Sequence, residues 1–149
     1  MTLLDYFTVT NPVKLKNTPF EMFETQLGTL NIKLFRTRHV TTSKTSLRNS
    51  QLSYGLLFDD KVLFTADTQF NPEQLNYLLE NYNIDTIFHD CDISGYSIGV
   101  HATYKQLAAL RPETKAKTYL CHYSDVYKLF DPKKDGFAGF AEAGVYYNF

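Results

Sequence analysis

The sequence predicts an α/β fold: a mixed β-sheet with helices on one face. Three observations lead there. The 149 residues are 44% hydrophobic and 21% charged, the composition of a single globular domain able to bury a core. From the "KVLFTAD" run onward, short apolar runs alternate with segments of helical period, in the order strand, helix, strand, helix, strand. Crossovers of that kind favour a parallel or mixed sheet covered by helices. Ahead of that run the apolar residues recur at period two, which is the mark of strands.

Each element has its own signal. "TLNIKLFRTRHV" alternates apolar and polar from Leu30 to Phe35, a strand. "QLSYGLLFDDKVLFTA" places two apolar runs around Asp59-Asp60, a hairpin. "NPEQLNYLLENYN" has Asn71 as N-cap, Pro72 at the first helical position and Glu73 in the first turn. Its Leu75, Leu78 and Leu79 fall on one helix face. "IDTIFHDCD" and "KTYLCHYS" are short apolar strands. "HATYKQLAAL" is helical, opened by His101 and stopped by Arg111-Pro112. "DVYKLF" is a helical turn and "GVYYNF" a closing strand. "KNTPFEMF" and "TTSKTSLRNS" are polar and loop-like; the second carries Lys44 and Arg48 close to His39.

Several classes are disfavoured by composition. A net charge of −1 from 15 basic and 16 acidic residues gives no field for non-specific nucleic-acid or membrane binding. No apolar run approaches the ~18 residues of a membrane span. "MTLLDYF" is acidic and too short for a secretory leader, so a cytoplasmic location is expected. The two cysteines, Cys91 and Cys121, make no disulfide framework and read as buried thiols of a reducing compartment.

The chemistry concentrates at strand ends. Asp67, Asp90 and His122 each follow an apolar strand, and His39 follows the period-two strand. In sheets of this kind ligands gather at the carboxyl ends of strands. A carboxylate there is costly unless something pairs with it. Imidazole with carboxylate is a donor set for zinc, manganese or iron. The alternative is structural: a turn-capping Asp67 and packed histidines.

"SYGLLFDDKVLFTADT", "IFHDCDIS", "GVHATYKQLAAL" and "TYLCHYSD" occur in that order. Together they resemble the C-terminal half of the metallo-β-lactamase superfamily. The likeness is to its phosphodiesterase branch of ribonuclease Z-like enzymes and phage anti-Pycsar cyclic-nucleotide phosphodiesterases. It runs from "LLDYFTV" to "DGFAGFAEAGVYYNF". The resemblance implies half of an αββα sandwich and a metal-dependent phosphodiester hydrolase acting on a cyclic nucleotide or RNA. It also implies two divalent ions, zinc or manganese, with Asp67 bridging them, His39 on the first and His122 on the second. Asp90 and His101 then form a proton relay, with His101 protonating the leaving oxygen. His89 only packs or hydrogen-bonds.

The sequence departs from the pattern in one respect: the superfamily's H-x-H-x-D-H signature does not occur in it. Residues 1–149 therefore read as a single partial domain, an enzyme half or a non-catalytic interaction module derived from one. Helices around Leu75 and Leu107 cover one sheet face, and nothing spans the other. A partner is expected, either the missing N-terminal half or a second copy of the chain in a homodimer.

Overall fold

The computed structural model describes residues 20–40, 51–95 and 99–149. The expectations for "LLDYFTV" and "TTSKTSLRNS" lie outside these residues.

Strands β1 (Met22–Leu27), β2 (Leu30–Arg36), β3 (Tyr54–Phe58) and β4 (Val62–Phe64) form an antiparallel meander. Gly28, at φ 63°, turns β1 into β2. Between β3 and β4 the Lys61 N–H donates to the Phe58 carbonyl across Asp59 and Asp60, both at positive φ. That is the hairpin turn whose twist matches its strands, and aspartate tolerates its left-handed conformation.

The chain then crosses over three times. Helix α1 (Pro72–Asn81) leads to β5 (Thr86–Asp90). Helices α2 (Tyr104–Ala108) and α3 (Pro112–Lys115) lead to β6 (Thr118–Cys121). A 3₁₀ helix (Asp125–Leu129) leads to β7 (Gly139–Phe140). β4 to β7 are parallel, and the seven-stranded mixed sheet runs in sequence order. The α/β class with a mixed sheet is thus what the sequence predicts.

Both longer helices lie on one face. Leu75 and Leu78 of α1 pack on Phe35, Leu57, Leu63 and Ile87, and Leu107 of α2 packs with Leu120. Leu57, Leu63, Ile87 and Leu120 are fully buried. Strand register brings Leu34, Leu56, Phe64, Phe88 and Tyr119 into one row on the other face. No helix of the described residues packs on that row. It borders a groove of about 680 Å³, lined by Leu56, Phe64, Phe88 and Phe149.

Three boundaries differ from the sequence reading. "GVYYNF" is not a strand: β7 closes the sheet earlier, and the Tyr147 and Phe149 rings lie over Phe88 at 5.2 and 6.0 Å. Of "KNTPFEMF", Met22 and Phe23 belong to β1, which among the described residues is an edge strand whose outer residues face water; residues 16–19 lie outside the described ones. The second helix starts at Tyr104, because Thr103 and Gln106 form a capping box that fixes its first turn there. It ends at Ala108, and Pro112 opens α3.

Candidate metal centre

The parallel strands end at one edge, and that edge carries the site. Asp90 is the last residue of β5 and His122 the first beyond β6. Asp67 lies in the loop after β4, His39 beyond β2, and His101 in the loop ahead of α2. Backbone bonds draw those loops together. The Gln69 N–H donates to the Arg38 carbonyl at 2.6 Å, and the Ala102 N–H to the Thr68 carbonyl at 2.8 Å. Thr37 and Ser53 hydroxyls both donate to the Asp67 carbonyl, at 3.1 and 2.7 Å.

Asp90 is the hub. Its side chain is 1% exposed, so its charge must be met from within. Oδ2 accepts from the Thr68 N–H at 2.8 Å and from His101 Nδ1 at 2.7 Å. Oδ1 stands 3.2 Å from His122 Nδ1. The Asp90 N–H donates to Thr65 Oγ1 at 3.0 Å, which fixes the backbone as well. His122 Nδ1 also lies 3.4 Å from Asp67 Oδ1. His122 and Asp67 are half exposed, so the cluster grades from a buried hub to an open rim.

His39 closes the group from the other side. Its ring is 5.4 Å from that of His101, which is in turn 4.6 Å from that of His122. His39 is buried, and its Nδ1 has no hydrogen-bond partner. A buried nitrogen left unsatisfied costs about 1–3 kcal/mol, which a ligand would recover. His39, Asp67, Asp90, His101 and His122, all singled out in the sequence, therefore meet at one place.

Backbone strain gathers at the same place. Among the described residues, five non-glycine residues have positive φ. Val40 follows His39, Ala66 precedes Asp67, and His122 is itself one of them. Such conformations cost about 1–3 kcal/mol each and tend to mark functional sites.

The donors suit a divalent ion. Donor atoms of Asp90, His101 and His122 all lie within 4.8 Å of one another. Two nitrogen or oxygen ligands of a tetrahedral zinc stand about 3.4 Å apart. The His122 pairs with Asp67 and Asp90, at 3.4 and 3.2 Å, match that spacing. The His101–Asp90 distance of 2.7 Å is instead that of a charge-assisted hydrogen bond.

His89 stays apart. It is buried, its Nδ1 bonds the Asp90 carbonyl at 2.8 Å, and burial holds its pKa below the usual range. A carbonyl only accepts, so this ring is neutral with its proton on Nδ1. Cys91 and Cys121 are free thiols. Burial, with Asp90 nearby, raises both, Cys121 to about 12, so neither is a ready thiolate ligand. Sequence reading missed Thr65 and Thr68, which hold Asp90 in place. The threonine after Asp67 was the visible signal, but its contribution comes from the backbone N–H.

Comparison with known proteins decides the family. The family model described as anti-Pycsar protein Apyc1 matches residues 1–147. The chain belongs to the anti-Pycsar protein Apyc1 family. The Apyc1 of Paenibacillus harenae is 33% identical over 122 residues, covering 82% of this chain and 44% of that protein. The Apyc1 of Paenibacillus sp. (strain J14) is 32% identical over 101 residues, covering 68% of this chain and 38% of that protein. The Apyc1 of Saccharibacillus brassicae is 30% identical over 118 residues, covering 79% and 45%. The chain thus spans less than half the length of these Apyc1 relatives.

Proposed function

We propose that this chain supplies the Asp67, Asp90, His101 and His122 side of a metal-dependent phosphodiesterase that degrades a cyclic nucleotide. The metallo-β-lactamase superfamily is the framework we assign it to, with this sheet as one half of the sandwich. Family membership supports an anti-defence role. The observation that carries the chemistry is the 2.7 Å bond between Asp90 and His101 beside the paired donors of His122.

Bound divalent ions would supply Lewis acidity, neutralising phosphate charge and making water a nucleophile near neutrality. Asp67 and His122 would hold them from this side, and His39, whose ring lies 5.4 Å from that of His101, would join them. Asp90 accepts from His101 Nδ1 and so leaves Nε2 turned to the reacting group. As water adds to phosphorus, the ester P–O bond breaks. His101 Nε2 then gives its proton to the departing oxygen. Asp90, held by Thr68 and Thr65, stabilises the imidazolium before transfer and fixes the ring throughout.

The remaining ligands come, in this reading, from the part of the family's length that the match does not span. The apolar row from Leu34 to Tyr119 is where that part packs. We place the reaction in the cytoplasm, as the sequence reading expects; separately, no described helix is long and apolar enough to cross a membrane. RNA is the second phosphodiester substrate the donor set accommodates.

The test joins the N-terminal region of the P. harenae relative to this chain, as a fusion or by co-expression. The chain alone should hold well under one equivalent of zinc or manganese and should not turn over cyclic nucleotides. The complemented domain should bind metal and hydrolyse them. Metal binding without turnover of any phosphodiester would favour a non-catalytic interaction module. Two tightly held ions on the chain alone would overturn the ligand assignment.

A further inference from the structure

We propose that the hollow beside β7 is a nucleobase-binding subsite, in which a base stacks on Tyr127 and meets Phe140, whose ring stands at 84° to that of Tyr127, at its edge, while its phosphodiester lies at His101 and His122. The inference rests on the phosphodiesterase reading and adds how the substrate's heterocycle is held.

The hollow measures about 440 Å³, within the range of small-ligand sites. Topology places it at the same sheet edge as the metal centre. Tyr123, in its wall, directly follows His122. Glu142 and Ala143, also in its wall, lie just past the carboxyl end of β7, the parallel neighbour of β6. In this proposal one ligand spans from one to the other.

Its aromatic lining fits a flat heterocycle. Tyr123 packs on Phe140 at 4.5 Å between ring centres, and its hydroxyl donates to the Ala141 carbonyl at 2.7 Å. Both rings also pack on the core cluster around Leu120. Tyr127 does not belong to that cluster. It stands 5.3 Å from Tyr123 and 5.8 Å from Phe140 and remains 38% exposed. A ring that the core does not need, on the wall of a ligand-sized hollow, is placed to meet a second flat ring. Lys133 and Glu142 add a donor and an acceptor for the exocyclic groups of a base. Stacking alone is tolerant of base identity, because every base has a π-face. The subsite should thus take purines and pyrimidines alike.

Saturation-transfer NMR on the complemented domain, its metal removed with EDTA, tests this, with cyclic cytidine monophosphate, cytidine, adenosine and ribose 5-phosphate as probes. Saturation should fall chiefly on base protons, and both nucleosides should bind without a phosphate. Tyr127→Ala should weaken both nucleosides by roughly 5- to 150-fold and leave ribose 5-phosphate unchanged. Phe140→Leu keeps apolar volume and should still weaken them, which separates aromatic contact from packing. Saturation confined to ribose protons, unchanged affinity in Tyr127→Ala, or no base signal at millimolar probe would overturn the subsite. In the complemented domain the two claims part. Hydrolysis with KM indifferent to Tyr127→Ala sinks the subsite alone. Nucleoside binding without hydrolysis sinks the phosphodiesterase reading alone.

Discussion

Asp90 does the most organising of any single residue, and its supports were the hardest to see in advance. The strand-end position of Asp67, Asp90 and His122 was readable because apolar runs stop there. The parts of Thr65 and Thr68 were not, since one accepts a backbone N–H and the other offers its own. Thr65→Val keeps the shape but leaves the Asp90 N–H buried and unpaired. It should cost about 1–3 kcal/mol in urea unfolding. Tyr104 supplies a pH test away from the candidate metal centre. Its hydroxyl donates to Asp135 at 2.6 Å, and burial, then that bond, raises its pKa. A raised folded value adds stability that is fully present below the unfolded pKa of about 10 and is lost as pH rises beyond it. The melting-temperature advantage of the native chain over Tyr104→Phe should therefore be full at pH 8 and shrink above pH 10. An advantage that grows with pH would contradict the assignment.

The elements that could be read were those with both a period and a stop signal. α1 had Asn71, Pro72 and three leucines on one face; the Asn71 side chain does accept from the Gln74 N–H. β5 and β6 were short strands with apolar centres. β1 could not be read, because an edge strand with its outer residues in water carries little apolar pattern. β7 could not either, being two residues long, while the aromatic "GVYYNF" mimics a strand. Close packing inside the sheet gives a sharper prediction. Gly55 faces Phe35 across β2 and β3, and a Cβ on Gly55 would fall 2.2 Å from the Phe35 ring. Gly55→Ala should destabilise by about 1–3 kcal/mol, and Phe35→Leu should partly relieve it. Leu63→Ala, in the strand that delivers Asp67, should cost about 2–5 kcal/mol in thermal or urea unfolding.

At the scale of the whole molecule, no helix of the described residues covers the row from Leu34 to Tyr119, and the proposed complement would cover it. The tail rings of Tyr147 and Phe149 rest on Phe88, but Leu34, Leu56 and Phe64 lie beyond them in the row. Each 100 Å² of such surface removed from water contributes roughly 2.5 kcal/mol, which is the motive for expecting association. The chain alone should sediment as an oligomer or aggregate and bind a hydrophobic dye, and its N-terminal complement should suppress both. The most direct test of the central claim is zinc content and cyclic-nucleotide turnover in the complemented domain carrying His101→Ala. The relay predicts unchanged metal and a turnover loss of ~10²–10⁴-fold, shrinking on a p-nitrophenyl ester whose leaving group needs no proton. Loss of metal with His101→Ala, or full activity without it, would contradict the account.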